Sequence, residues 1–511
     1  MKKRAVISVS DKEGIVSLGN DLTGLGYEIV STGGTAKLLA ENGIPVTKVE
    51  DVTGFPECLD GRVKTLHPRL FAGILADTKN AEHMEKIEEL SIDPVGIVVS
   101  NLYPFAETVA KQDCPLSEAI EQIDVGGPSM IRAAAKNYKS VIIVTDPSQY
   151  GELIERLSGD TADEAYRLGL SARAIGHTAA YDAHIAGYLN GAVNDEYPKK
   201  LTLAFEKKSG LRYGENPDQS AAFYVSAGGF AGGVESAVFL QGKELSFNNI
   251  ADAQAAIELV GEFGETACAA IKHSSPCGAA TGKSVLEAYE AARACDPQSI
   301  FGGIVAFNRP LDGPTAEKMT GEFLEVVIAP SFSDCALRHF KKKKSVRLLE
   351  LADIGAKHSL RHAFKGVGGG MLIQGPDAND IGAEEWTVAT KAAPTEEEKR
   401  DLVFAMKVAR HVKSNAIVVA RDGRTLGIGG GQVSRVWAAE SAIGHALFPL
   451  TGAVLASDAL LPFDDVVKLC ANAGIKAIIQ PGGSIKDSVS IKTCDENGIA
   501  MVFTGKRHFK H

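Results

Sequence analysis

The chain has 511 residues, of which 45% are hydrophobic and 23% charged, a balance that excludes disordered, collagenous and coiled-coil proteins. Its net charge of −10 argues against a broad basic surface for nucleic acid. Because the eight cysteines are scattered without a CxxC pair and no apolar run reaches about 18 residues, we expect a cytoplasmic protein with reduced thiols and no membrane span.

The first 150 residues alternate between strand and helix patterns. Short apolar runs predict the strands, and apolar residues at helical spacing predict the helices between them. This alternation is typical of an α/β domain with a parallel sheet covered on both faces. The predicted strands are 5–9, 27–30, 44–49, 96–100 and 141–144, and the predicted helices include 11–23 and 36–42. The turn-rich, charged segment 187–200 is the candidate domain boundary.

The region after residue 200 has a different pattern of predicted elements, and a helix near its middle is clearly marked. A capping box of Thr395 with Glu398 predicts helix 395–412. Strand 416–420, a hairpin at 422–423, strand 425–428 and helix 434–447 are predicted to follow. A weak internal echo, Lys-His-Ser at 272–274 and Lys-Ser-Asn at 413–415, is consistent with a duplicated subdomain.

Polar and glycine-rich segments follow the predicted strands of the first region. The segment STGGT at 31–35 joins a strand to a helix, and it is either an anion-binding helix start or a plain turn. Ser10 and Lys12 follow the first strand and are expected at the same sheet edge. The loop RVKTLHP at 62–68 is dense in cations and is either a site or an ordinary polar loop.

Asp124 precedes Gly126 and Gly127 at a predicted helix start, and it is either a site residue or an N-cap. Lys136 lies twelve residues later. Twelve residues are three to four helical turns, so the two side chains meet only through tertiary folding or a partner chain.

Three segments of the second region are candidates for chemistry. Lys272 and His273 end an apolar strand and are either an acid/base pair or, for the histidine, a structural residue. Strand alternation would point them to opposite faces, so only a bend would aim both at one substrate. Arg435 ends the glycine loop GIGGGQVSR, an anion site or a plain turn, and LRYGENP at 211–217 is a substrate loop or a turn.

Two familiar motifs are incomplete. The segment 278–284 has three residues between its glycines, where a P-loop needs four. Pro276-Cys277 lacks both the second cysteine and the H-x-E of zinc deaminases, so we expect no metal there.

The motifs taken in order resemble the bifunctional purine-biosynthesis family that combines AICAR transformylase and IMP cyclohydrolase. The resemblance covers nearly the whole chain, and it is specific because the motifs occur together in one order. They are SVSDK at 8–12, STGGT, RVKTLHP, NLYPF at 101–105, IDVGG with RAAAKN at 123–137, LRYGENP, IKHSSPCG at 271–278, GIGGGQVSR at 427–435 and RHFKH at 507–511.

The resemblance implies two domains and a set of small-molecule partners. Residues 1–199 would form a methylglyoxal-synthase-like cyclohydrolase domain. Residues 200–511 would form the transformylase, a duplicated cytidine-deaminase-like α/β region with subdomains at roughly 200–365 and 366–511. The substrates would be AICAR, formyl-AICAR and the formyl donor 10-formyltetrahydrofolate. The resemblance also implies a homodimer and no metal, and we expect no nucleic acid or membrane partner.

The resemblance also assigns site residues to the cyclohydrolase. Lys64, Tyr103, Asp124 and Lys136 match its catalytic set, with Lys136 as proton donor and acceptor. The nucleotide and its phosphate would be held by Ser10, Lys12, Ser31, Gly33, Gly34, Thr35, Arg62, Thr65, Asn101 and Gly126.

For the transformylase, His273 matches the base that deprotonates the AICAR amine. Lys272 would stabilise the oxyanion or protonate the leaving folate nitrogen, and Asn415 would orient the carboxamide and the formyl group. The nucleotide would be held by Arg212, Tyr213, Gly302, Glu325 and Arg435, and further substrate contacts, partly to the folate, would come from Leu460, Asp465, Ser484 and Arg507.

Two other functions compete with this interpretation. A non-catalytic purine-nucleotide sensor would bind nucleotide without turnover, but binding alone does not require Lys272 and His273. A methylglyoxal-synthase-like lyase would turn over dihydroxyacetone phosphate, but it leaves the whole second region unexplained.

Overall fold

The computed structural model describes residues 3–59, 61–111, 114–226, 232–355, 362–379, 381–382 and 386–511. These residues form two compact units. The first ends at Glu206, and the second contains the chain from Lys207 onward, except that Ser226 groups with the first.

The described residues of the first unit form five strands and ten α-helices. The strands are β1 (Arg4–Ser8), β2 (Glu28–Ser31), β3 (Val46–Lys48), β4 (Val95–Ser100) and β5 (Ile142–Val144). The helices are α1 (Ile15–Gly24), α2 (Gly33–Glu41), α3 (Val49–Thr53), α4 (Pro68–Leu75), α5 (Ala81–Glu89), α6 (Phe105–Val109), α7 (Leu116–Glu121), α8 (Gly126–Lys136), α9 (Tyr150–Ser158) and α10 (Glu164–Ala192), and a 3-10 turn occupies Pro147–Gln149.

The five strands form one sheet in the order β3-β2-β1-β4-β5, and all neighbours are parallel. The predicted parallel α/β sheet is therefore confirmed. From β1 the chain adds β2 and β3 on one side of the sheet, and it then returns to add β4 and β5 on the other side of β1. Ligands of such sheets bind where the strand order reverses, at the carboxyl ends of β1 and β4.

The segment 187–200, predicted as a turn-rich candidate domain boundary, begins as helix, because α10 continues to Ala192. Its glycines and asparagine are tolerated there because the helix packs on the core. Tyr188 meets Phe105 edge to face with ring centroids 5.7 Å apart. Tertiary packing thus outweighs the local turn signal.

The second unit contains sixteen strands, eight α-helices and a 3-10 turn at Val234–Ser236 in the ranges that the structure describes. The strands are β6 (Phe205–Leu211), β7 (Ala221–Ser226), β8 (Val238–Gln241), β9 (Ala267–Lys272), β10 (Ser275–Thr281), β11 (Ile304–Phe307), β12 (Val326–Ala329), β13 (Arg347–Glu350), β14 (Ala363–Val367), β15 (Gly370–Gln374), β16 (Thr387–Val388), β17 (Ile417–Arg421), β18 (Arg424–Gly429), β19 (Val454–Ser457), β20 (Ala477–Gln480) and β21 (Ala500–Phe503). The helices are α11 (Phe247–Val260), α12 (Val285–Cys295), α13 (Gly313–Met319), α14 (Asp334–Phe340), α15 (Glu396–Arg410), α16 (Arg435–Gly444), α17 (Asp465–Ala473) and α18 (Asp487–Asn497).

Twelve of these strands form one sheet in the order β16-β21-β20-β19-β17-β18-β10-β9-β11-β12-β13-β8. The same succession occurs twice: a helix, an antiparallel hairpin, and then three strands alternating with three helices. It runs from α11 to β13 and again from α15 to β21. The two halves meet at β10 and β18, which are antiparallel. The likeness of each half to cytidine deaminase stays a prediction.

The internal echo in the sequence was aligned on positions that are not equivalent, and that alignment is wrong. Residues 272–274 lie at the turn between β9 and β10, whereas 413–415 precede β17. The turn that corresponds to 273–274 is Asp422-Gly423, between β17 and β18. A repeated topology does not require repeated motifs, because the loops of the two halves can differ in sequence while the strand order stays the same.

The large sheet is covered on both faces. One side chain of each alternating pair packs against α11 and α15, and the other packs against α12–α14 or α16–α18. Along β9, Ala267, Ala269 and Ile271 face the first layer, while Cys268 and Ala270 face the second, as strand pleating requires. The predicted capping box is confirmed, since Thr395 accepts from the Glu398 amide and Glu398 from that of Thr395.

Candidate functional site

The loops after β1 and β4 in the first unit are locked together by Asn101. Its side-chain oxygen accepts hydrogen bonds from the amides of Ser10 and Asp11 at 2.6 and 3.0 Å, and its amide donates to the Asp11 carbonyl at 3.0 Å. Thr35 similarly bonds both the amide and the carbonyl of Val9, at 3.3 and 3.0 Å. Three strand-end loops therefore form one rigid edge.

Helix α2 begins at Gly33, three residues earlier than predicted, so Gly33, Gly34 and Thr35 form its first turn. The first amides of a helix have no partner within it and favour an anion. Two ammonium groups converge there: a methyl group placed on Gly33 would lie 3.6 Å from Lys64 Nζ, and one on Gly34 would lie 3.9 Å from Lys12 Nζ. Gly33 has a φ of 56°, which favours glycine. This arrangement suits a phosphate.

A second helix start, that of α8, holds Asp124 and Thr65. Asp124 Oδ1 accepts from the Gly127 amide at 2.8 Å, so it also caps the helix. A methyl group on Gly126 would lie 2.6 Å from Thr65 Oγ1, which places Thr65 against this helix start. Tyr181 supports Asp124 by accepting from its backbone amide at 2.8 Å while donating to a carbonyl at 2.9 Å.

Burial raises the pKa of Asp124 above its ordinary value, although the Gly126 and Gly127 amides and the Lys64 charge oppose that rise. The Lys64 ammonium also forms an ion pair of 3.3 Å with Glu57. Lys64 therefore acts electrostatically on both helix starts, the glycines of α2 and the carboxylate before α8.

The structure does not bring every predicted cyclohydrolase residue to this cluster. Lys136 is the last residue of α8 and is exposed, so a rise of 1.5 Å per residue places it roughly 15 Å along the axis from Gly126. Arg62 is exposed and forms an ion pair with Glu121. Tyr103 is also exposed, just after β4. Ser31 is buried and donates to the Ile7 carbonyl at 2.6 Å, which leaves it a structural contact in this conformation.

A cavity of about 600 Å³ lies behind the Ser10–Lys12 loop, but its lining does not suit a phosphate. Asp11, Glu13, Asp21 and Asp146 line it, and they would repel an anion. Burial, aided by two of these carboxylates, raises the pKa of the lining residue Tyr150 to about 12. The helix start of α2, where two ammonium groups meet, suits a phosphate better than this cavity does.

The candidate residues of the second unit lie along one edge of the twelve-stranded sheet, named here the polar edge. Strand β9 ends there at Lys272, and β11–β13, which run opposite to β9, begin there near Gly303, Glu325 and Arg347. Because β10 and β18 are antiparallel, the second half of the sheet is reversed. The carboxyl ends of β18 and β19–β21 therefore lie at the same edge as the start of β17.

His273 and Ser274 form a two-residue hairpin turn at the polar edge, directly after Lys272, the last residue of β9. Lys272 pairs with Ser275, and His273 and Ser274 have φ angles of 52° and 55°. This bend removes the opposite-face alternation expected for a continuing strand. Lys272 Nζ donates to the Phe301 carbonyl at 2.6 Å, beside Gly302, and the Ser274 amide and hydroxyl donate to Asp252 Oδ1 at 2.7 and 3.1 Å. His273 is exposed at the tip.

Asn415 and Arg435 form a separate cluster farther along the polar edge. Arg435 Nη2 donates to Asn415 Oδ1 at 2.7 Å, and Asn415 donates to the Gln432 carbonyl at 2.8 Å. Arg435 Nη1 donates to Asp458, which is fully buried, and to Ser457 Oγ at 2.9 Å. Three strand spacings separate β9 from β17, so the strand that follows Asn415 lies roughly 14 Å across the sheet from the strand that ends at Lys272.

The remaining predicted residues have varied surroundings. Arg212 stacks on Tyr213 at 4.8 Å, in the loop after β6, and Glu325 forms an ion pair of 2.6 Å with Arg347. The four residues predicted partly for the folate all follow the carboxyl ends of β19–β21 or open the helix after them: Leu460, Asp465, Ser484 and Arg507.

Three supporting residues have no sequence signal that could have found them. Tyr181 holds Asp124 from a helix that starts 40 residues later, Asp252 holds the Ser274 turn, and Asp458 holds Arg435. Within the described ranges, no three His, Cys, Asp or Glu side chains group so as to hold a metal ion. None of the described helices is both long and apolar enough to cross a membrane.

Comparison with known protein families identifies the family of this chain. Residues 134–445 match the model of the AICARFT/IMPCHase bienzyme, and residues 14–129 match that of the MGS-like domain. The chain belongs to the AICARFT/IMPCHase bienzyme family. The predicted activities, AICAR formyltransferase and IMP cyclohydrolase in purine biosynthesis, are therefore confirmed.

Curated relatives of the bienzyme align from end to end. The chain is 53% identical to the bifunctional purine biosynthesis protein PurH of Thermoanaerobacter sp. over 100% of both chains. It is 50% identical to the protein of that name from Bacillus subtilis, over 100% of this chain and 99% of the relative. The crystal structure of ForH is 35% identical over 36% of this chain and 98% of its own, with a TM-score of 0.34.

In this bienzyme, Asp124→Asn should stabilise the fold at neutral pH while reducing ring closure. Burial raises the carboxyl pKa, so the wild type loses stability as pH rises through that raised value, and the neutral amide does not. The amide oxygen can still accept from Gly127. Thermal unfolding of both proteins between pH 4 and 8 would measure the difference.

The matched control is Asp163→Asn, an exposed N-cap that accepts from the Tyr166 amide at 2.8 Å. It should not show the same gain at neutral pH. A lower unfolding temperature for Asp124→Asn than for the wild type at pH 7 would contradict the prediction.

Proposed function

We propose that the second unit transfers the formyl group of 10-formyltetrahydrofolate to AICAR at the Lys272–His273 turn. The AICAR amine is a weak nucleophile because its lone pair is delocalised into the imidazole carboxamide. His273 takes the amine proton as the nitrogen attacks the formyl carbon. Lys272 stabilises the oxyanion or returns a proton to the folate nitrogen as the carbon–nitrogen bond breaks. The turn that presents both side chains at one edge is the observation that carries this proposal.

The Asn415–Arg435 cluster supports a second role along the same edge. Its side chains keep unused N–H groups, since Arg435 Nε and one hydrogen on each of Arg435 Nη2 and Asn415 Nδ2 have no bond to the residues that the structure describes. These donors would orient the carboxamide and the nucleotide. The strand-end residues Leu460, Asp465, Ser484 and Arg507, with Gly302, Glu325, Arg212 and Tyr213 elsewhere in the unit, complete the proposed substrate contacts.

Ring closure is proposed for the first unit. The carboxamide nitrogen attacks the formyl carbon of the same molecule, and water then leaves. Since the reactants are already tethered, the site selects a conformer and stabilises charge. The α2 helix start with Lys12 and Lys64 would hold the phosphate, while Lys64 and Asp124 act beside the reacting groups.

A homodimer in the cytoplasm is proposed as the working form. The hairpin of β14 and β15 exposes Val367, Met371 and Leu372, an apolar surface that a second copy would cover. The distance of Lys136 from Asp124 supports the same assembly, because a partner chain would supply this lysine. The scattered cysteines support a reducing compartment.

The direct test supplies AICAR and 10-formyltetrahydrofolate to the purified protein after treatment with a chelator. We expect IMP to form without added metal, with formyl-AICAR as the intermediate. Chromatographic separation of IMP and formyl-AICAR would follow both steps. Failure to form IMP until a metal is restored would reject the metal-free mechanism, and IMP formation only from formyl-AICAR would reject this folate as the donor.

A further inference from the structure

Residues 504–511 cross the polar edge of the second unit as an extended strap. The amides of Thr504 and Gly505 donate to the carbonyls of Gln480 and Pro481 at 3.0 and 2.9 Å. The His508 amide then donates to the Asp458 carbonyl at 3.0 Å, and the Lys510 carbonyl accepts from the Ser414 amide at 2.9 Å. The strap therefore connects the ends of β20 and β19 to the residue that precedes Asn415.

The Ser414 hydroxyl joins the strap to a buried carboxylate. It donates to Asp458 Oδ2 and accepts from the Lys510 amide at 3.1 Å. Asp458 is fully buried, and its other carboxylate oxygen accepts from Arg435 Nη1. Because Asp458 is fully buried and shielded from solvent, both of its side-chain partners contribute to fixing its orientation.

These contacts close into a ring that contains both proposed substrate groups. Arg435 bonds Asp458 through Nη1 and Asn415 through Nη2, Asn415 is bonded covalently to Ser414, and Ser414 returns to Asp458. Arg435 also comes from the first turn of α16 and Asp458 from the end of β19, so the ring spans three elements. Loss of any one link opens the ring, so the carboxamide of Asn415 and the guanidinium of Arg435 depend more on their remaining bonds to the Gln432 carbonyl and the Ser457 hydroxyl.

We propose that Ser414 is a positioning residue for formyl transfer, which holds Asn415 and Arg435 in register through Asp458 and the strap. The proposal rests on the proposed roles of Asn415 and Arg435. Ser414 itself needs no contact with the substrate. Misplacement of orienting groups by a fraction of an ångström is enough to reduce a rate, since the reacting atoms must meet in a narrow geometry.

The test compares Ser414→Ala and Ser414→Thr in the full chain. We expect the alanine variant to lose about tenfold in kcat for formyl transfer and to raise KM for AICAR several-fold, because Asn415 and Arg435 both shift. Ring closure of added formyl-AICAR should be unchanged, which is an internal control for the enzyme concentration and for the first unit, while circular dichroism and thermal unfolding check that the second unit is folded. Threonine keeps the hydroxyl and should restore both constants.

Ser333→Ala is the matched control, because it also removes a hydroxyl that accepts a backbone amide, at 3.2 Å from Ala336, at the start of α14. A smaller folded fraction lowers kcat but leaves KM, so unchanged KM values, or equal effects in Ser333→Ala, would overturn the proposal. Wild-type kinetics in Ser414→Ala would do the same.

Lys510→Pro is the second variant, for the case in which Ser414→Ala does not fold. It removes the amide that donates to the Ser414 hydroxyl. We expect a weaker change in the same direction, and wild-type constants would count against the proposal. Asn415→Ala tests the proposed role of Asn415 separately from that of Ser414. Full formyl transfer by this variant would remove the proposed role of Asn415, whatever the result for Ser414.

Discussion

His273→Ala should lower formyl transfer by about 10² to 10⁴-fold, the usual contribution of a positioned general base, while ring closure continues. The AICAR amine attacks poorly while it keeps its proton, because its lone pair is delocalised, and water is a much weaker base than a positioned imidazole. We propose that ring closure takes place in the first unit, and His273 belongs to the second unit. The measurement follows formyl-AICAR formation from AICAR and 10-formyltetrahydrofolate, and IMP formation from added formyl-AICAR.

His445→Ala is the matched control for this substitution. His445 is exposed at the end of α16 in the same unit, and its ring contacts the Ser441 carbonyl of its own helix. We expect both activities to survive in that variant. If a folded His273→Ala protein lost both activities, the two-site interpretation would be wrong. If it kept formyl transfer, His273 would not be the base.

Lys64→Met and Lys136→Met should each reduce ring closure by about 10²-fold or more and leave formyl transfer intact. Lys64 lies beside Gly33 and acts on Asp124, whereas Lys136 is exposed at the far end of α8. A role for Lys136 in the same reaction therefore requires a site completed by a second copy of the chain. Initial rates with formyl-AICAR would measure both variants.

Mixing the two inactive variants distinguishes the possible arrangements. If Lys136 comes from the partner, random pairing leaves about one site in four with both lysines, and activity returns to about that fraction. If both lysines act within one chain, mixing restores nothing. Unchanged ring closure in Lys136→Met alone would remove Lys136 from its predicted role. Lys139→Met, another exposed lysine just beyond α8 that pairs with Glu164, is the control.

The order of motifs along the chain was enough to predict the family, the α/β class and the parallel first sheet. These features are local: β1, β2 and β4 are marked by their own apolar runs, and helix α15 by its own capping box. Periodicity and capping act over a few residues, so they can be read from one segment without knowing its neighbours.

The ends of the helices and the alignment of the two repeated halves were harder to predict from the sequence, because residues far away in the chain determine them. Helix α2 starts at Gly33 because the Thr35 hydroxyl bonds Val9 rather than capping the helix, and α10 passes through a glycine-rich segment because it packs on Phe105. The internal echo failed for a related reason. The two halves of the large sheet are reversed at β10 and β18, so equivalent loops fall at opposite edges.

The sequence alone determined which side chains this protein has for chemistry: lysines, a histidine and glycine-rich helix starts, each recognisable within its own short motif. The tertiary structure alone decided how they are grouped. It turned Lys272 and His273 to one edge through a hairpin bend, brought Lys12 and Lys64 to the same helix start, and joined Asn415 and Arg435 through a buried Asp458. These groupings depend on strand order and burial, which are properties of the whole fold and are written in no single segment.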